Sequence, residues 1–185
     1  VGNGIAGGTG IHVGKDWEIE DCLVFRNYGL GMTVGSYTRV RNCRAKENAG
    51  NGFYTGIGSV IENCVSAENQ NYGFFGQTQS IIHDCIAIGN TNCGISVGPY
   101  SLAMNNLSSD NGSHGIMTGG GSRIYGNSAC INDGDGINAG GDSVVERNLL
   151  YGNKGAGVNG GWSCRVEANH AIGNGIGFQA SSGSK

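Results

Sequence analysis

The 185-residue sequence predicts an all-β solenoid of about eight 21-residue coils, and three observations lead there. Asn27, Asn48, Asn69, Asn90, Asn111, Asn132, Asn153 and Asn174 recur at one spacing, without insertion or deletion. A glycine column (Gly10, Gly31, Gly52, Gly73, Gly94, Gly115, Gly136, Gly157) is followed each time by a large apolar residue, from Ile11 through Phe53 and Phe74 to Val158. Helix-pair repeats need more than about 30 residues and sustained runs of helix formers, whereas these glycine-rich rows offer only short alternating runs.

Along one row, the glycine and its apolar neighbour read as a turn entering a first strand. The second strand centres on Ile19, Val40, Ile61, Ile82, Ala103, Ile124, Val145 and Val166. The third centres on a smaller-volume column, Val24, Ala45, Ser66, Ala87, Ser108, Ala129, Leu150 and Ala171. Constant size at a fixed period means that each row is one unit stacked on copies of itself. Coils spaced roughly 4.8 Å apart make a rod about 40 Å long.

The asparagine comb then has a physical cause. An amide carries two donors and a carbonyl, so an inward amide lying on copies above and below is satisfied. Turn preference explains asparagines in general but not eight in one column. A second column holds Cys22, Cys43, Cys64 and Cys85, then Asn106, Asn127, Asn148 and Asn169. It describes an interior pocket that takes a thiol or an amide. No CxxC spacing or histidine accompanies the thiols, so neither a metal nor another cofactor is expected.

Rows such as Gly52-Phe53 through Val60-Ile61-Glu62-Asn63-Cys64-Val65-Ser66-Ala67-Glu68-Asn69 carry a family resemblance, as does Gly136-Ile137 through Val144-Val145-Glu146-Arg147-Asn148 to Asn153. They resemble the repeats of right-handed parallel β-helix proteins of the pectin-lyase-like and NosD-like kind, over about residues 8–178. The resemblance implies a single-stranded right-handed parallel β-helix. It says less about activity, since this superfamily includes lyases, hydrolases, epimerases, phage tailspikes, adhesins and non-catalytic modules. One domain is expected over 1–185, with regular coils at 10–177, an irregular lead-in at 1–9 and a linker-like tail at 178–185, where Phe178 replaces the expected glycine.

The 37 glycines are periodic, which argues turns and not disorder, and a net charge of −3 without a basic run argues against nucleic acid as a partner. No stretch approaches the ~18 apolar residues of a membrane span. Seven cysteines, four of them stacked, point to buried free thiols over a disulfide framework. Both ends are expected to leave open strand edges. The chain is then a segment of a longer solenoid, or its ends are covered by partners or by copies of itself. A larger cell-surface or polysaccharide-associated protein is the expected setting.

Outward positions add two surface features. Glu20, Arg41, Glu62 and His83 alternate in charge as a salt-bridge ladder. Val60, Ile81 and Leu102, with Val65, Ile86 and Leu107, occupy columns that strand alternation places outside. They form an apolar patch suited to self-association, unless a bend turns one column inward.

The column after the glycine and apolar pair holds His12, Thr33, Tyr54, Phe75, Ser96, Met117, Asn138 and Asn159. By the resemblance it corresponds to the ligand-facing surface of many β-helix enzymes. Tyr54 and Phe75 are candidates to stack on a sugar ring, and Asn138 and Asn159 to hydrogen-bond its hydroxyls. Aromatics in register also stabilise a sheet with no ligand.

One bend column runs Tyr72, Cys93, His114, Asp135. Cys93, His114 and Asp135 are the residue types of a nucleophile, a base and its orienter, yet stacked side chains point in parallel and no oxyanion site accompanies them. Ser113-His114-Gly115 is similar to a polygalacturonase tripeptide but lacks the paired carboxylates which that chemistry needs. Asp133, Asp135 and Asp142 are the local acidic cluster, with Arg147 the nearest arginine, and the Asp-Pro-His-Asp motif of the epimerases is absent. Strict register leaves no inserted loops to wall a cleft. The sequence therefore favours a non-catalytic structural or binding solenoid with a polysaccharide partner. The alternatives are a fragment or relative of a carbohydrate-active enzyme (lyase, hydrolase or epimerase) and a self-associating building block.

Overall fold

A computed structural model describes residues 8–184. Its twenty-five strands, most of them three residues long, form one nine-stranded and two eight-stranded sheets. All pairs are parallel, and each strand pairs with the strand one coil away. Sheet 1 begins with Ile11–Val13, sheet 2 with Glu18–Glu20 and sheet 3 with Leu23–Phe25. The expected registers hold: Phe74 lies between Phe53 and Ile95, and Ile82 between Ile61 and Ala103.

The core is the set of inward columns. Met32, Phe53, Phe74, Ile95, Ile116 and Ile137 stack from sheet 1, and Val40, Ile61, Ile82, Ile124 and Val145 from sheet 2. Phe53 and Phe74 stack with centroids 4.9 Å apart. Glycine in the turn column is a matter of close approach: a Cβ on Gly31 would sit 2.6 Å from the Gly52 carbonyl oxygen and 2.8 Å from the Asn48 amide.

Each coil turns at three corners, and apart from Asp16 in the first coil, which precedes the exposed Trp17, the corners share one construction. A residue in the left-handed region, such as Tyr37 (φ 60°), Asn42 (φ 53°) or Glu47 (φ 55°), precedes an inward polar residue or thiol, here Thr38, Cys43 and Asn48. The corner turns the next N–H away from the backbone ladder, and a side chain one coil on accepts it. Thr38 N–H donates to Ser59 Oγ at 3.3 Å, Cys43 N–H to Cys64 Sγ at 3.3 Å and Asn48 N–H to Asn69 Oδ1 at 3.1 Å. Left-handed backbone costs a non-glycine residue roughly 1–2 kcal/mol, and these bonds offset it. The asparagine ladder and the thiol-to-asparagine column are as expected. A third column makes the same kind of rung between Thr38 and Ser59 and from Ser80 through Ser101 and Ser122 to Ser143; it is hydroxyl-bearing over six coils, with Trp17 before it and Cys164 after it.

Two expectations need correction. The last coil is one residue short: Val158 pairs with Phe178, so Gly177 resumes the glycine column and Phe178 the apolar one. The segment from 178 is therefore not wholly a linker, because the strand Ile176–Ala180 adds a ninth member to sheet 1. Of the irregular lead-in, residues 1–7 lie outside the described residues.

The charged column is more branched than a simple ladder. Arg41 contacts both Glu18 (3.2 Å) and Glu20 (2.8 Å), while Glu62 takes Arg39 (3.1 Å) and His83 (3.4 Å). Both aliphatic columns stand outward. Val60, Ile81 and Leu102 are half-buried on sheet 2; around the corner on sheet 3, Val65 is half-buried and Ile86 and Leu107 are exposed. No bend turns either column inward.

Candidate functional site

The outward face of sheet 1 is a flat strip on which the candidate residues fall into two groups. At one level Tyr54 and Phe75 stack on each other, centroids 5.3 Å apart and planes 5° from parallel, directly outside the buried Phe53 and Phe74 pair. Tyr72 leans on Phe75 at 5.3 Å, and Gln77 Nε2 donates to Tyr54 Oη at 2.8 Å. Phe75 thus has one face against Tyr54 and Tyr72 beside it, so this cluster reinforces the sheet more than it offers a free aromatic platform.

Three coils on, the polar candidates form one network around Asp135, which is only 9% exposed. Its Oδ1 accepts the Ala156 N–H at 2.8 Å. Its Oδ2 accepts Asn138 Nδ2 at 3.0 Å and Asn159 Nδ2 at 3.1 Å. Three donors satisfy a carboxylate that lies largely out of water. Gly155 makes the approach possible, because a Cβ there would meet Asp135 Oδ1 at 2.5 Å. With both NH2 groups drawn toward one carboxylate, Asn138 and Asn159 are held in register on adjacent strands. Sequence reasoning placed Asp135 and the two asparagines in separate groups. The signal that joins them is a three-residue offset, Asp135 to Asn138 and, one coil further, Asp135 to Asn159.

Cys93, His114 and Asp135 do stand on successive coils, but their hydrogen bonds are not those of a nucleophilic relay. The Asp135 backbone N–H donates to His114 Nδ1 at 3.0 Å, which occupies the lone pair at that nitrogen and leaves the neutral ring's proton on Nε2. Asp135 Oδ2, 3.4 Å from Nδ1, therefore receives no ring proton there to orient the base. Cys93 is 2% exposed, and burial raises its thiol pKa. A nucleophilic cysteine needs the opposite, a depressed pKa and access. Of the acidic cluster, Asp133 faces Lys154 at 2.8 Å, and Asp142 sits at a different corner with φ 58°.

A family model for the right-handed beta helix region matches residues 2–101, more than half of the chain. The chain belongs to this right-handed β-helix family. No curated protein matches. Among solved structures, this β-helix is similar to the periplasmic alginate epimerase AlgG, at 17% identity and TM-score 0.64 over 85% of this chain and 51% of that one. It is also similar to the A-modules of two Azotobacter vinelandii mannuronan C-5 epimerases. AlgE4 matches at 19% identity and TM-score 0.62, and AlgE6 at 18% and 0.59, each over 92% of this chain and 64% of theirs. At these identities the likeness is one of fold, and the chain spans between half and two thirds of those proteins.

Proposed function

We propose that this β-helix is a non-catalytic glycan-binding module that uses the outward face of sheet 1. The observation that carries the reading is the pair Asn138 and Asn159, fixed by Asp135 at adjacent coils. The two half-buried side chains stand on the outward side of adjacent parallel strands, roughly 4.8 Å apart, which suits hydroxyls along one edge of a sugar chain. Against catalysis stand the buried thiol of Cys93 and a carboxylate whose two oxygens are already engaged.

The second reading is a relative of the carbohydrate-active enzymes whose fold it shares. His114 and Asp135, adjacent in the bend column that borders this face, favour it. One experiment separates the two. Calorimetric titration with oligosaccharides should show binding without release of reducing or unsaturated ends and without epimerisation, and Asn138→Ala with Asn159→Ala should weaken that binding at least tenfold. Turnover that disappears in His114→Ala would replace the binding reading with the catalytic one.

A further inference from the structure

The corners between sheets 1 and 2 carry exposed aromatic residues that the sheet 1 site does not use. Trp17, Tyr37, Tyr100 and Trp162 are 56%, 65%, 70% and 60% exposed. Folding ordinarily buries such side chains. Two of them, Tyr100 and Trp162, line a single cleft of about 400 Å³ with Pro99, Gly120, Gly121, Gly141 and Asp142.

The cleft depends on its glycines. Tyr100 leans forward one coil over Gly121, where a Cβ would meet its Cδ1 at 2.7 Å and Cε1 at 2.8 Å. Trp162 leans back one coil over Gly141, where a Cβ would meet Nε1 at 2.6 Å and Cε2 at 2.8 Å. Gly121 and Gly141 are themselves adjacent, the Gly121 N–H donating to the Gly141 carbonyl at 2.9 Å. Two rings thus approach from opposite directions across a floor without side chains, and the exposed carboxylate of Asp142 stands beside them. Gly121 (φ 67°) also needs its left-handed backbone, so the position serves both the corner and the ring.

The geometry points to this corner as a binding site for one or two pyranose rings of a neutral glycan. Flat aromatic faces pack against the C–H faces of a pyranose, and a solvated carboxylate accepts its hydroxyl protons. The volume suits one or two rings. Charge selects among sugars: among the described residues no lysine or arginine lines the cleft, and Asp142 opposes a second carboxylate, so uronate chains are disfavoured. The inference extends the glycan-binding reading to a second surface and assigns it a sugar class, but it stands on different residues and is tested apart from it.

The chain has two tryptophans, at opposite ends of the rod, so Trp17→Phe leaves Trp162 as the sole tryptophan reporter inside the cleft. Fluorescence titration of that variant should show a saturable change in emission with at least one of cellohexaose, xylohexaose, mannohexaose and N-acetylchitohexaose. Tyr100→Ala and Gly121→Val should each weaken it at least fivefold. Asn138→Ala should leave it unchanged, which separates this site from the sheet 1 face. No response to any of the four neutral hexamers at 10 mM overturns the proposal, as does an equal response to hexaguluronate or hexagalacturonate, or a response to choline alone. Circular dichroism of each variant confirms that the coil is intact before its titration is read.

Discussion

Asn69 Oδ1 accepts two hydrogen bonds from one residue of the preceding coil, the Asn48 backbone N–H at 3.1 Å and Asn48 Nδ2 at 2.9 Å. One oxygen therefore closes both the corner's displaced amide and the ladder itself. The same double bond recurs from Asn27 to Asn153, so each coil is fastened to the next at a buried point.

Asn69→Ala should be among the more damaging single changes. It strands two buried donors of Asn48, each costing about 1–3 kcal/mol, and a loss of roughly 2–4 kcal/mol is expected once the neighbourhood relaxes. Asn174→Ala, in the half-buried last coil, should cost less than half as much. Urea unfolding followed by circular dichroism measures both; an Asn69→Ala loss no larger than that of an exposed substitution would contradict the ladder's role, and equal losses would show that burial does not set the cost.

Gly94→Ala tests close approach in the turn column. The new Cβ would fall on Ser108 Oγ and within 2.6 Å of Asn111 Nδ2. Overpacking of this kind costs about 1–3 kcal/mol. Adding Ser108→Ala removes one of the two clashes, so the double variant should be more stable than the sum of the singles predicts. Strict additivity in the denaturant midpoints would argue that the coil simply shifts.

Asp135→Asn should leave the solenoid folded while disordering the sheet 1 face. The replacement keeps one acceptor but turns an NH2 group toward donors, either the Ala156 N–H or the amides of Asn138 and Asn159. A stability loss of about 1–2 kcal/mol is expected. Glycan affinity at sheet 1 should fall with it, as judged by calorimetry. Unchanged affinity would detach Asp135 from binding.

The thiols set an alkaline limit on stability. Cys43 has its pKa raised above 9.0 by its hydrogen bond with Cys64 and then by burial; Cys22 and Cys93 are raised by burial first. An acid whose folded pKa is raised keeps its proton in the native state while the unfolded chain releases it. The stabilisation is therefore complete below about pH 8.5 and declines above it. Denaturant midpoints should hold from pH 7 to 8 and fall between pH 9 and 10.5. In native protein, iodoacetamide should reach only the half-exposed Cys22 and Cys130 and spare the five buried thiols. Rapid labelling of Cys43 would refute that.

Much of this was legible without coordinates, because stacking in a solenoid overlays position i on i+21, and any demand of the interior repeats at that interval. Phe53 over Phe74 and Asn48 over Asn69 are consequences of the spacing. The serine column was equally available, since Ser59, Ser80, Ser101, Ser122 and Ser143 share the frame. The short last coil was harder to see, because one missing residue between Asn174 and Gly177 made Phe178 look like an exception.

The sequence by itself determined the all-β class, the three strands per coil, the inward columns and the absence of long insertions. Only the tertiary structure decided which neighbours meet off the vertical. Asp135 reaches Asn138 and Asn159 by a three-residue diagonal, and Tyr100 and Trp162 lean over glycines one coil away in opposite senses. The physical reason is that the period specifies translation along the rod, whereas the left-handed corners and local rotamers set the direction of each side chain around it.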